Sequence, residues 1–266
     1  MQKNRAFWYG ENFFFSCRTY CGKVIFLEDH LALFISNIRE FYAENVNWGQ
    51  ILSFENNIKM LLADCQKITQ EAFNKEQQEF YVRVTLIPTS DKFQLDSSLN
   101  LNAQIYFSNL EIKKNSCLIK FLKREQLAMP YGKVGMYLDQ IKMLNDVKKE
   151  GYDEIIYFDD NDELLEATTS NICFVDQNKK TYFIHENHRL IYHGLIIRKL
   201  KIVLESLGYK FLENHFDKKI INPNLNIILT NSVSLIRAAK LSNDSPVDGV
   251  FIEKLNSELI KLLKKE

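Results

Sequence analysis

The chain has 266 residues, 46% of them apolar, and its 34 basic and 34 acidic side chains cancel to a formal net charge of zero. This length and apolar content suffice for one or two domains with a buried core. A net charge of zero excludes a strong long-range field for gathering nucleic acid or anionic lipid, so a small-molecule partner is expected. No apolar run approaches the roughly 18 to 20 residues that cross a bilayer. The N-terminal segment lacks the apolar core of a signal peptide, which predicts a cytoplasmic protein.

The first third of the chain predicts a hairpin followed by two helices. Residues Phe13–Tyr20 are rich in strand formers, and a Cys-Gly-Lys turn separates them from the apolar run Val24–Leu27. This arrangement is typical of a β-hairpin. From Glu28 to Tyr42 the apolar side chains recur at helical spacing, and a second amphipathic helix is expected over Phe54–Ile68.

The middle of the chain returns to strand patterns. Three strands are expected, at Tyr81–Ile87, Gln104–Phe107 and Leu118–Leu122. Pro88 should end the first of them, and the polar residues 88–101 should form a surface loop. We therefore predict an N-terminal small α/β domain over residues 1–115 and a larger C-terminal α/β domain over residues 116–266.

The second half alternates helix and strand patterns, which indicates an α/β (α+β) fold. Helices are expected at Gln140–Lys149, at Leu195–Leu207 and from Phe251 onward, and strands at Glu154–Phe158, Asn171–Val175 and Asn226–Thr230. Gly208 suits a helix C-terminal cap. The segment from Asp159 to Glu166 predicts an acidic turn.

Lys133 and Glu166 are the pair of residue types that pyridoxal 5′-phosphate (PLP) chemistry needs. Lys133 opens the run Lys-Val-Gly-Met-Tyr-Leu, and Glu166 opens Glu-Ala-Thr-Thr-Ser-Asn 33 residues later. A lysine amine can bind the cofactor aldehyde as a Schiff base, and a carboxylate can keep the ring nitrogen protonated. A lone lysine or glutamate at such a position is usually a solvent-exposed residue without a catalytic role. The prediction therefore also depends on the motifs around the pair.

A metal site is an alternative interpretation of the histidines. His185, His188 and His193 lie close together in sequence, which could suit a metal hydrolase. No cysteine or carboxylate cluster with zinc-like spacing accompanies them, so no metal is predicted. The five cysteines are scattered without a CxxC pair and should be reduced thiols.

The chain resembles class IV aminotransferases (PLP fold type IV), which include branched-chain and D-amino acid aminotransferases and aminodeoxychorismate lyases. The hairpin Phe14–Lys23 and the helix entry Leu27–Leu31 are similar to family motifs, Lys133 matches the imine lysine, and Glu166 matches the pyridinium carboxylate. The resemblance covers nearly the whole chain. It implies a homodimer of two-domain, D-amino acid aminotransferase-like subunits, with the active site between the domains and Lys133 as the general base.

The resemblance also implies where the cofactor phosphate binds. Residues His193–Arg198 look like the family's phosphate cup, in which the N–H groups of Leu195 and Ile196 at a helix start would bind the anion. Ser232, in a Leu-Thr-Asn-Ser turn, would add a hydroxyl. Thr169 is a further candidate for cofactor binding.

Four positions depart from the family pattern. Leu33 stands where the family has its phosphate-binding arginine, and Ile196 where it has a threonine. Phe15 replaces a hairpin glutamate, and Met136 an asparagine after the lysine. Without a charged partner for the phosphate, cofactor binding would be weaker by about 1.5–3 kcal/mol. The candidate substitute cations are Arg39, Arg198 and Arg237.

The expected substrate is a small amino-acid-like molecule, and Arg83, inside a strand, is the candidate for binding its carboxylate. The segments Leu138–Gln140 and Leu229–Ser232 look most like those of aminodeoxychorismate lyases, which release pyruvate to give 4-aminobenzoate. The alternatives are a branched-chain or D-amino acid aminotransferase, or a catalytically silent homologue that keeps the fold.

Overall fold

The structure, a computed structural model, describes residues 10–42, 48–89, 100–111, 114–124, 138–185, 191–212, 221, 225–245 and 247–263. These residues form two compact units. The first takes the described residues up to Glu111, and the second takes those from Lys114 onward. Lys133 lies outside the described residues.

The first unit combines an antiparallel sheet with two helices. Its elements in chain order are β1 (Phe13–Tyr20), β2 (Lys23–Val24), α1 (Leu27–Tyr42), α2 (Trp48–Glu76), β3 (Phe80–Thr89) and β4 (Asn100–Asn109). The strands lie side by side in the order β2-β1-β3-β4. All neighbouring strands are antiparallel. Strands β2 and β3 flank β1, and the connection between them carries both α1 and α2.

One face of this sheet is apolar because buried side chains alternate along β1 and β3. Phe13 lies opposite Leu86 and Phe15 opposite Val84, and all four are buried. Directly opposed residues point to the same side of a sheet, so these pairs form one continuous apolar surface. Helix α1 covers it, with the ring of Phe34 packed edge-on against Phe15 at 5.2 Å between centroids.

The second unit is built on an eight-stranded mixed sheet. Its elements are β5 (Ser116–Lys123), α3 (Leu138–Lys149), β6 (Glu154–Phe158), β7 (Leu164–Ala167), β8 (Asn171–Asp176), β9 (Thr181–Ile184), α4 (Leu195–Ser206), β10 (Lys210–Phe211), β11 (Leu225–Asn231), β12 (Leu235–Lys240) and α5 (Gly249–Leu263). The strand order is β10-β9-β8-β11-β12-β5-β6-β7. Strand β5 runs parallel to both β12 and β6.

The two faces of this sheet bury different sets of side chains. Leu229 of β11 belongs to an apolar cluster on one face. Tyr157 and Leu165 pack on the other face with Val147 of α3. Since successive strand residues point to opposite faces, Thr230 lies on the face opposite that of Leu229.

Most elements predicted from periodicity are confirmed, including the hairpin, α1 and the strand that leads into Ser232. The predicted cap of α4 is present at Gly208, which has a φ of +82°. The second helix is longer than predicted, because its polar ends give no periodic signal. Pro88 does not end β3; beyond Leu86 that strand no longer pairs with β1, and a missing N–H is tolerated at such an edge.

The expected acidic turn from Asp159 to Glu166 is wrong in its second half, where Leu164–Ala167 forms β7. Leu164 and Leu165 are buried on opposite faces, 0% and 1% exposed, which overrides the polarity of the preceding residues. Glu166 is consequently a strand residue, not a loop carboxylate. Within the described ranges, no helix combines the length and apolarity that crossing a membrane requires.

Candidate active site

The carboxylate of Glu166 contacts an arginine side chain and a backbone N–H of the second unit. It lies in β7, and its side chain is only 14% exposed. The Oε1 atom is 3.8 Å from Nη2 of Arg124, and the Oε2 atom accepts a hydrogen bond from the backbone N–H of Tyr192 at 3.4 Å. These contacts help to fix the position of the acid within the second unit.

Arg124, which follows β5, compensates the negative charge of this poorly solvated acid. Its side chain is 15% exposed, and its guanidinium carbon lies 4.6 Å from the ring centroid of Tyr157. Stacking on an aromatic ring orients the planar guanidinium. Sequence reasoning did not single out Arg124, since a lone arginine at a strand end carries no motif.

Tyr157 remains a neutral phenol beside this ion pair. Burial raises the pKa of Tyr157, and the carboxylates of Glu154 and Glu166 raise it further, whereas Thr168 and Arg124 act in the opposite direction. The Thr168 hydroxyl donates to the Tyr157 hydroxyl at 3.4 Å. Tyr157 is therefore an uncharged side chain that packs beside Arg124 and adds no charge to the site.

Asn171 ties β8 to the segment that leads into α4. Its Nδ2 donates to the carbonyl of Tyr192, and its Oδ1 accepts from the N–H of Gly194 at 3.0 Å. A Cβ at Gly194 would lie 2.8 Å from that same Oδ1, so only glycine allows this close approach. Because Tyr192 also contacts Glu166, Asn171 helps to position both Glu166, the candidate partner of the cofactor ring nitrogen, and the start of α4.

Asn231 makes a second set of contacts between two site segments. Its Nδ2 donates to the Thr169 carbonyl at 3.2 Å and to Ser170 Oγ at 3.0 Å. Its Oδ1 accepts from the N–H groups of Val233 at 3.0 Å and Ser234 at 2.6 Å. The amide therefore shapes the turn that carries Ser232 and couples it to the loop after β7.

Thr169 is engaged away from this turn. Its hydroxyl donates to Oε2 of the buried Glu154 at 2.6 Å, although the residue itself is exposed. This contact satisfies a carboxylate that would otherwise be costly to bury. A cofactor role for Thr169 stays a prediction, and the observed contact is structural.

The start of α4 is suited to an anion. Its N-cap is Gly194, no side chain caps the helix, and its first turn carries no acidic residue. Leu195 and Ile196 are buried within that turn, so Ile196 offers no side-chain donor. The backbone N–H groups of a first helical turn, with the positive end of the helix dipole, favour a negative ligand.

Arg83 lies in the first unit, on the sheet face opposite the α1 contact. Its guanidinium carbon is 3.7 Å from the ring centroid of Phe14, and its Nε donates to Thr85 Oγ1 at 3.4 Å. No carboxylate among the described residues forms an ion pair with it. The stacked guanidinium is the type of group that binds a ligand carboxylate.

The histidine alternative gains no support in the part of the chain described. His188 lies outside that part, and the described residues contain no group of three His, Cys, Asp or Glu side chains suited to a metal. His185 is buried, with Nε2 3.3 Å from Oε1 of Glu163. All five cysteines are free thiols, and burial raises the pKa of the Cys17 and Cys173 thiols.

We expect His185 to make the protein sensitive to acid. Burial lowers the pKa of His185 to about 4, although Asp159 partly opposes this effect. Below the unfolded-state value of about 6.5, the unfolded chain binds a proton that the folded chain refuses. The free energy of unfolding should fall by up to about 1 kcal/mol per pH unit between pH 6.5 and 4. Urea unfolding of a His185→Gln variant should show a flatter pH dependence; an identical slope would contradict the assignment.

Comparison with known proteins identifies the family. The sequence profile of amino-transferase class IV matches residues 13–241. The chain belongs to this family. Its members use pyridoxal 5′-phosphate as cofactor, which confirms the cofactor predicted from the sequence. No curated protein matches the chain in sequence.

Solved structures share the fold at low identity. A hypothetical aminotransferase from Mycobacterium tuberculosis, in its PLP-bound form, is 16% identical with a TM-score of 0.76, over 97% of this chain and 92% of that one. A fold IV transaminase from Curtobacterium pusillum is 14% identical with a TM-score of 0.78, over 99% and 89%. A protein provisionally named 4-amino-4-deoxychorismate lyase, from Legionella pneumophila, is 18% identical with a TM-score of 0.68, over 97% and 93%.

The described residues fit this cofactor. Glu166 supplies a carboxylate, the group that pairs with a protonated ring nitrogen, and α4 begins without a side-chain cap. Two buried hydroxyl oxygens beside the β11–β12 turn, Thr230 Oγ1 and Ser234 Oγ, have no hydrogen-bond partner among the described residues. A phosphate group could accept hydrogen bonds from such buried donors and from the open start of a helix.

Proposed function

We propose that the chain is a PLP-dependent enzyme that acts on the amino-bearing carbon of an amino-acid-like substrate, with aminodeoxychorismate lyase activity. The observation that carries the proposal is the largely buried carboxylate of Glu166, flanked by the Arg124 guanidinium and the Tyr192 N–H. An acid kept at a fixed position and balanced by a cation suits a protonated ring nitrogen.

The residues divide the work by their chemistry. When bound, pyridoxal phosphate supplies an electron-accepting ring that stabilises negative charge on the substrate Cα. Lys133 would hold the aldehyde and move the Cα proton, Glu166 would hold the proton on the ring nitrogen, and Arg83 would bind the substrate carboxylate. Ser232 and the N–H groups of Leu195 and Ile196 would hold the phosphate.

The lyase is preferred to an aminotransferase because the segments around Leu138–Gln140 and Leu229–Ser232 look most like those of the lyases. A homodimer is proposed on the family resemblance. In both reactions Lys133 would remove the substrate Cα proton. In the lyase a β-substituent would then leave the substrate, whereas the aminotransferase would pass the amino group on to a keto acid.

Product analysis of the full-length holoenzyme separates the two reactions. With aminodeoxychorismate as substrate, we expect pyruvate and 4-aminobenzoate in equal amounts and no need for a keto-acid acceptor. Branched-chain and D-amino acids, each supplied with 2-oxoglutarate, test the alternative. Keto-acid-dependent amino transfer without pyruvate release would refute the lyase and establish the aminotransferase.

A further inference from the structure

Thr230 of β11 carries a buried hydroxyl group. The residue is 1% exposed, and its Oγ1 has no hydrogen-bond partner among the described residues. A buried hydroxyl that is left without a hydrogen bond costs about 1–3 kcal/mol. A valine would fill the same volume without this cost. A ligand that accepts a hydrogen bond from this oxygen would remove that cost.

The register of the sheet places this hydroxyl under the start of α4. Thr230 lies directly opposite Asn171 in the β8–β11 pair, so both side chains point to the same face. The Asn171 side chain on that face bonds to Tyr192 and Gly194, the residues just before α4. The open N-terminus of α4 and the unused hydroxyl of Thr230 are therefore neighbours.

We propose that Thr230 is a direct ligand of the cofactor phosphate in this chain. The inference rests on the proposed PLP-dependent function and deepens it. The aliphatic side chains of Leu33 and Ile196 cannot donate a hydrogen bond to the phosphate, whereas a hydroxyl from the sheet can. Hydrogen bonds to a charged acceptor are the stronger kind, so this one hydroxyl contributes substantially to cofactor affinity.

The two candidate substitute arginines of this unit are placed unfavourably. Arg198 is exposed on α4. Arg237 is buried but pairs with Leu229, one residue out of step with Thr230, so it points to the other face of the sheet. Neither shares the face on which Thr230 and Asn171 meet the helix start.

Thr230→Val tests the proposal through the phosphate group itself. Full-length apoprotein is titrated with pyridoxal 5′-phosphate and, separately, with pyridoxal, which keeps the aldehyde and lacks the phosphate. We expect the variant to bind pyridoxal 5′-phosphate roughly 10- to 100-fold more weakly, with pyridoxal affinity changed less than about twofold. Thr230→Ser should restore phosphate-dependent affinity, and the melting temperature of the Thr230→Val apoprotein should not fall.

Thr181→Val is the matched control. Its Oγ1 is also buried without a partner among the described residues, but Thr181 pairs with Asp176 at the far end of β8. That position is on the order of 17 Å along the strand from Asn171. This control should leave both affinities unchanged, and Thr230→Ala provides a second variant if the valine disturbs folding.

The outcomes separate this inference from the function on which it rests. An equal ratio of the two affinities in wild type and Thr230→Val would overturn the phosphate contact while leaving the cofactor assignment intact. If the wild type bound neither aldehyde, the proposed function would fail. In that case the phosphate contact would be tested by the rise in melting temperature that orthophosphate causes in the apoprotein. A rise as large in Thr230→Val as in wild type would overturn the inference.

Discussion

Replacing Glu166 by glutamine should lower kcat/KM by about 10²- to 10³-fold while the cofactor remains bound. The neutral amide keeps the size of the side chain and the contact with Tyr192 N–H, but it cannot balance a protonated ring nitrogen. The loss of one such stabilising group in a transition state is worth about 2.7–4 kcal/mol. Steady-state kinetics and the absorbance of bound cofactor would be measured on the same sample.

Glu163→Gln is the control for this substitution. Glu163 lies on the turn before β7, its side chain is 31% exposed, and it faces His185 instead of Arg124. The same change of acid to amide there should leave kcat/KM within about twofold of wild type. A Glu166→Gln enzyme with full activity and bound cofactor would show that another group protonates the ring.

Lys133→Ala should abolish turnover and the absorbance band of the covalently bound cofactor. The alanine variant has no amine for the aldehyde and no base for the substrate Cα proton, so two functions disappear with one substitution. Residual activity should be at least about 10³-fold below wild type. Absorbance spectra at saturating pyridoxal 5′-phosphate provide the direct measurement.

Lys142→Ala is a suitable comparison, because Lys142 is exposed on α3 and has no assigned function. Its spectrum and activity should match those of the wild type. If Lys133→Ala kept the band and Lys142→Ala abolished it, the imine would belong to the second lysine. The placement of the family motif on this chain would then be wrong.

The elements that the sequence predicted well are those with one dominant period. Helix α1 and strand β11 each combine regular apolar spacing with clear ends, so local pattern and tertiary packing agree. Strand β7 was missed because an acidic run precedes it and its burial depends on partners distant in sequence. Strand β12, which carries Arg237, was missed for a similar reason, because its pairing with β11 and β5 decides its structure.

Within the candidate site, residue types with distinctive chemistry could be predicted, and supporting contacts could not. Glu166 stood out because a carboxylate before Thr-Thr-Ser-Asn has a recognisable partner in Lys133. Arg124 and Asn231 are defined only by what they touch across the sheet. Thr230 was visible only as a strand residue, because its unused hydroxyl and its register with Asn171 are properties of the folded sheet.

A silent homologue remains the competing interpretation, motivated by Leu33 and Ile196 in place of phosphate ligands. It predicts a folded protein that forms no covalent bond to the cofactor at any attainable concentration. The proposed enzyme, in contrast, forms a carbon–nitrogen bond between the cofactor and a single lysine amine. Chemical reduction makes this bond permanent, so that it can be detected.

Borohydride reduction of the wild-type protein at saturating pyridoxal 5′-phosphate, followed by mass spectrometry of its peptides, tests the account most directly. We predict one phosphopyridoxyl group per chain, attached to Lys133, and none in the Lys133→Ala variant. Absence of any modified peptide, or modification spread over exposed lysines such as Lys142, would contradict it.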